Sequence, residues 1–259
     1  MTKEQHVRST RMSDEFLSEV EDKGYGNLSG DAFATPFIKL LQPNSAEVTN
    51  EVPGCKAGLF YDSANKEVLG DTLTVIPLDM EILWMEWEEN MGGLKGKYLP
   101  GSIPTTGDRF NRINPQTGRE LSDAWNYYVL LVGREDKGPA IISLPVTAIK
   151  YLKTWNTMIH NTKLSNGDPA PFYSSLWKIG PTVKTKNDSG QVWYNIGDAS
   201  GVKAERIRFI NKEEYNNFVL PGKQMAKTVM LSYQPQATPA LPAGKAQAAL
   251  PASPESDKY

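Results

Sequence analysis

The acid–base candidates of this 259-residue chain gather in one phrase, WMEWEEN, where Glu86, Glu88 and Glu89 could bind a divalent ion or exchange a proton. On a strand, Glu86 and Glu88 point to one face and Glu89 to the other, so the three do not converge without help from distant residues. A metal-dependent nuclease using Glu86, Glu88 or Asp79 is the form such chemistry would take. Other catalytic signatures are missing. The chain has no GxxxxGK(S/T) phosphate loop, no HExxH, no GxSxG, and no GxGxxG after a strand. Its two histidines, His6 and His160, and its one cysteine, Cys55, lack the spacing of metal ligands. The sequence therefore reads as a nonenzymatic protein with no cofactor and no metal.

Positive charge offers more. Residues 140–230 carry twelve Lys/Arg against six Asp/Glu, whereas residues 1–100 carry nine against seventeen. Cations interleaved with Trp155, Trp177 and Trp193 suit a polyanion with stackable bases, which is single-stranded nucleic acid. A core of aromatics under a solvated lysine face gives the same composition. Lys150 and Lys153, three apart, lie off the apolar stripe of their helix and can face solvent on one side. On the strand that follows, Lys178, Lys184 and Lys186 share one parity and Trp177, Ile179 and Val183 the other. Adjacent aromatics have opposite parity, so one of each pair is free to stack on a base. Trp193 with Tyr194, Trp125 and Tyr127 with Tyr128, and Trp84 with Trp87 are such sets. Nucleic-acid contacts are thus assigned to Lys150, Lys153, Lys178, Lys184, Lys186, Trp193, Tyr194, Tyr128 and Trp87.

The elements that must position these residues are mostly strands. Ala32 to Leu41 has helical spacing of Phe33, Phe37, Ile38 and Leu41. Thr72 to Glu89 is a long β-type run broken at Pro77, where an edge, a bulge or a bend is expected because proline has no N–H to donate. Leu94 to Leu99 can pair with it. Pro100 to Arg119 is turn-rich, with NPQTG at 114–118 as a hairpin tip. Trp125 to Val132 and Ala140 to Leu144 read as strands. Pro145 opens a helix whose apolar stripe is Val146, Ile149, Leu152, Trp155 and Ile159. Phe172 to Lys186 and Gln191 to Ile196 are strands around an NDSG turn, and Val202 to Ile210 is another. Asn211 and Glu214 form a capping-box pattern for a last helix.

The fold class is mainly β with a few helices (α+β). Three strand regions, a helix and further strands follow the order of an OB-like Greek-key barrel with extensions and disordered termini. Residues 1–30 read as a flexible arm, 31–230 as a single β-rich domain, and 231–259 as a disordered tail with Pro235, Pro239, Pro242, Pro251 and Pro254. One cysteine excludes an internal disulfide and fits a reducing compartment. No apolar run approaches the roughly 20 residues of a membrane span, and the N-terminus lacks a signal-peptide stretch.

TPFIKLLQP at 35–43, the VIPL…EW…GG run from 75 to 93, WNYYVLL at 125–131, AIISL at 140–144 and LKTWN at 152–156 resemble bacteriophage replication-region proteins described as single-stranded DNA-binding. The likeness spans roughly residues 31–200 and contains no catalytic motif. It implies sequence-nonspecific binding of single-stranded DNA during phage replication or recombination, in the cytoplasm of an infected bacterium. Phage or host replication proteins are the expected partners of the C-terminal tail. That tail is only weakly acidic, since Lys245 and Lys258 counter Glu255 and Asp257, which puts recruitment through it in doubt. A phage structural or assembly β-module that binds protein, and a small-molecule or carbohydrate binder with aromatic platforms, are the alternatives. Residue types do not separate DNA from RNA.

Overall fold

The computed structural model describes residues 36–88, 93–108, 111–144, 146–186 and 190–232, all within one compact unit. The arm 1–30 and most of the tail 231–259 lie outside the described residues. In chain order the strands are β1 (Phe37–Leu40), β2 (Phe60–Asp62), β3 (Glu67–Gly70), β4 (Leu73–Trp87), β5 (Leu94–Tyr98), β6 (Leu121–Leu131), β7 (Ala140–Leu144), β8 (Ser175–Ile179), β9 (Val183–Lys186), β10 (Val192–Asn195), β11 (Gly197–Asp198), β12 (Gly201–Val202) and β13 (Ala204–Phe209). The helices are α1 (Ala46–Thr49), α2 (Ile149–His160), α3 (Lys212–Glu214) and α4 (Leu220–Ser232), with a π turn (Tyr215–Val219) joining the last two.

Nine strands form one curled, half-barrel sheet in the order β13-β8-β4-β6-β7-β1-β2-β3, with β5 alongside the distal end of β4. The mainly β expectation holds. The sheet has its two ends at β13 and β3, and no pairing joins them among the described residues. Helices cover both faces. Against one lies α2, whose Ile149, Leu152, Trp155 and Ile159 pack with Val75, Trp125, Tyr127, Val129 and Trp177. Trp155 stacks on Tyr127 at 4.9 Å and meets Trp177 edge-on at 6.3 Å. On the other face Val219 and Ala226 of the C-terminal helices pack with Ile76, Leu78, Tyr128, Leu130 and Leu176. Gly222 permits that approach, because a Cβ there would lie 3.1 Å from Leu78 Cδ1.

Pro77 sets a β-bulge, as its missing N–H foretold. The register of β4 against β6 shifts between Pro77 and Asp79, leaving Leu78 as the extra residue. Without that shift Met80 and Ile82, which face Tyr127 and Trp125 across the ladder, would point to the wrong side.

Three expected elements differ, one being the strand expected from Val202 to Ile210, which is β12 paired with β11 and then β13 in the main sheet. The helix expected from Ala32 to Leu41 is a strand over Phe37–Leu40, parallel to β7 and antiparallel to β2. Ile38 and Leu40 are buried and Lys39 is exposed, a period of two, and the slot between two strands supplies backbone partners that a helix could not. The strand expected from Phe172 to Lys186 is two, β8 in the main sheet and β9 in a separate hairpin with β10. Gly180 at φ +111 turns the chain there, with no room for a Cβ beside Asp71 O at 2.5 Å, and Pro181 cannot donate to a ladder.

Candidate nucleic-acid interface

α2 buries one stripe, so its opposite face is left to Lys150 and Lys153, both exposed. The Lys150 ammonium lies 4.7 Å from the centre of the Tyr151 ring. Tyr151 in turn covers Gly197 of β11, where a Cβ would lie 2.5 Å from Tyr151 Cδ1 and from Gly201 O. Glycine is required at this crossing because β11 and β12 are squeezed beneath the helix. Through β11 the helix surface continues to β9, which carries exposed Lys184 and Lys186. No carboxylate lies within ion-pair reach of Lys150, Lys153, Lys184 or Lys186 among the described residues. Asp198, between the two lysine pairs, is neutralised locally. Hydrogen bonds from Ser200 hold its carboxyl below the usual range, and Lys203 Nζ stands 3.4 Å away.

The β9–β10 hairpin is docked by the loop after β1. Gln42 clamps the Tyr194 backbone in both directions, donating from Nε2 to Tyr194 O at 3.1 Å and accepting from Tyr194 N at 2.9 Å. Thr182 Oγ1 donates to Gly58 O at 2.5 Å. The Tyr194 ring lies flush on Gly58, whose φ of +92 and lack of Cβ leave it room. Across the hairpin Tyr194 faces Lys184, and Trp193 faces Thr185. Trp193 is half-buried on the side away from Tyr194.

The structure separates the other assigned residues. Lys178 is exposed on β8 but pairs across strands with Glu205 and Thr74, on the face of Leu176, whereas α2 covers the face of Trp177. The break at Gly180–Pro181 uncouples its parity from that of Lys184. Tyr128 is fully buried beneath the C-terminal helices and donates to Glu81 Oε1 at 2.7 Å, so it offers no ring to a base. Its parity partners Trp125 and Tyr127 are buried too, because both faces of this sheet are covered. Tyr194 is occupied by Gly58, and Trp87 is half-buried with its indole N–H donated to Ser122 Oγ at 2.9 Å. Trp193 alone of the four assigned aromatics keeps a side that these contacts leave free.

Lys56 was missed. It is exposed on the loop that carries Gly58, so it borders the docked hairpin. A single lysine in a Pro/Gly loop gives no signal in sequence, and only the docking brings it to this surface.

Glu86 of the acidic phrase is a structural pin. Glu86 is buried and accepts from Thr117 Oγ1 at 2.6 Å, Tyr98 Oη at 2.7 Å and Asn114 Nδ2 at 3.1 Å, with Arg119 at 3.5 Å. It pins the NPQTG turn, whose Gly118 N bonds to Asn114 O at 2.8 Å, onto β4. Glu88 pairs with Lys95 at 2.9 Å, and Glu89 lies outside the described residues. No group of three or more His, Cys, Asp or Glu could hold a metal ion among the described residues. Nor is any helix among them long and apolar enough to cross a membrane.

No curated protein and no solved structure matches the chain. A family model described as Pam3 phage gp34-like protein matches residues 3–216, which takes in every strand, α2 and the docked hairpin. The chain therefore belongs to the Pam3 phage gp34-like protein family.

Proposed function

We propose that this phage protein binds single-stranded nucleic acid without sequence preference, across α2 and the β9–β10 hairpin. The observation that carries this reading is that Lys150, Lys153, Lys184 and Lys186 stand exposed and, among the described residues, without carboxylate partners, on elements made continuous by β11 and β12. By contrast Lys39, Arg112, Arg134 and Arg208 are all spent on ion pairs. Four ammonium groups on these contacting elements would attract a phosphate chain and release its counterions. Trp193, on the opposite side of the two-stranded hairpin from Lys184 and Lys186, would offer a ring to a strand that wraps the hairpin, worth about 1–3 kcal/mol, and Lys56 would extend the cationic track. The curled sheet with a helix between its strands serves here as an open relative of an oligonucleotide-binding barrel. The setting is phage DNA replication or recombination in the infected cell.

Titration with oligo(dT), duplex DNA and single-stranded RNA at two salt concentrations tests the reading. Trp fluorescence quenched by oligo(dT), weakening steeply with salt and much weaker for duplex, is the expected result. Trp193→Ala should remove most of the quenching and weaken binding roughly tenfold. Absence of binding to either single strand at low salt sinks the proposal.

A further inference from the structure

The sheet ends at β13. Among the described residues β13 pairs only with β8, and Glu205, Arg206, Ile207, Arg208 and Phe209 are all exposed. Ile207, the extra residue of a bulge against β8, is 50 % and Phe209 37 % accessible, an apolar pair on a strand whose outer row of backbone donors and acceptors has no partner among the described residues. The edge is also rigid. β8 holds one side, and a bulge between Arg206 and Arg208 fixes the twist. The far end is locked where Arg208 grips Glu214 with both guanidinium nitrogens, at 2.5 and 2.8 Å, while Glu214 closes a reciprocal capping box with Asn211. A preorganised edge loses little entropy on pairing.

A second copy is disfavoured at four of the six registers that could be centred on β13. Two-fold antiparallel pairing centred on Ile207 sets Arg206 opposite Arg208. Centring on Glu205, Arg206 or Arg208 sets a charge against its own twin, and like charges directly opposite are destabilising. Arg206 differs from Arg208 in having no carboxylate partner among the described residues. Its guanidinium lies 4.6 Å from the centre of the Phe209 ring, on the same face of the strand.

We infer that β13 is a docking strand for an extended segment of another protein, one with a carboxylate opposite Arg206 and apolar side chains beside Ile207 and Phe209. Main-chain hydrogen bonds along the open edge would supply affinity, and the Arg206 charge would select the partner. The inference stands whether or not nucleic acid binds at the α2 lysines.

Fluorescence anisotropy with two labelled eight-residue peptides, one of alternating Val and Glu and one of alternating Val and Lys, tests it on the full chain. The Glu peptide should bind and the Lys peptide should not. Arg206→Glu should weaken the Glu peptide at least tenfold and admit the Lys peptide, a swap that misfolding cannot produce. Ile207→Asp should weaken the Glu peptide as well. Equal binding of the two peptides to the unaltered chain, or loss of Glu-peptide binding in Lys150→Glu/Lys153→Glu but not in Arg206→Glu, overturns the inference.

Discussion

Glu86 sets burial against hydrogen bonding at a single carboxylate. Burial raises its pKa, yet donation from Thr117, Tyr98, Asn114 and Arg119 outweighs it and holds the carboxyl below its ordinary value. Tyr98, whose proton is given to that carboxylate, is pushed up to about 12. A folded-state pKa below the unfolded one stabilises the protein fully above the unfolded value, near 4.5, and is lost as pH falls through the folded value. Glu86→Gln should therefore lower stability at pH 7 by about 1–3 kcal/mol and flatten the acid limb of a plot of Tm against pH. An acid limb as steep as that of the unaltered chain would show that Glu86 does not hold the NPQTG turn. The sequence displayed this residue as a catalytic candidate because strand parity says where a side chain points and nothing of what folds over it. Tyr128 went the same way, assigned to solvent by parity and buried by the helix above it.

At the scale of elements, the hairpin that carries Lys184, Lys186 and Trp193 depends on a loop far off in sequence. Gly58→Ala forces a side chain into a positive-φ position and against the Tyr194 ring, where a Cβ would come to 2.5 Å. A loss of about 2 kcal/mol is expected, with faster amide exchange across β9 and β10. Gln42→Ala removes two hydrogen bonds to the Tyr194 backbone without backbone strain, and about 1–2 kcal/mol should go with them. Exchange rates in the hairpin unchanged by both substitutions would show that the clamp does not hold it. Long, patterned elements were legible in sequence. β4 with its Pro77 bulge, β6, β7, α2 and the Asn211–Glu214 capping box all lie where spacing put them. The short segment at Phe37–Leu40 was not, since four apolar residues satisfy either period and the neighbouring strands decide.

On the scale of the molecule, covering the sheet with α2 on one face and the C-terminal helices on the other sorts the cations into two groups. Lys150 and Lys153 lie on α2, which contacts β12 and through β11 reaches β9 with Lys184 and Lys186, and Lys178 falls on the far face of the sheet. If a phosphate chain lies on the first group, each lysine lost removes about 0.7 from the slope of log K against log salt. Replacing all four by Glu should lower the slope by about 3, whereas Lys178→Glu should leave it unchanged. A Lys178→Glu slope shift as large as that of Lys184→Glu would mean that the nucleic acid follows another path.

The sequence by itself determined the mainly β class, most of the long elements, an interruption at Pro77 and the concentration of positive charge between residues 140 and 230, because period, proline chemistry and composition are local properties. Tertiary structure alone decided that Lys178 lies on the sheet face away from α2, that Tyr128 is buried and Tyr194 spent on Gly58, that Glu86 is a pin, and that β13 pairs on one side only among the described residues. Each of those depends on what the opposite face of a strand meets, and that partner comes from elsewhere in the chain.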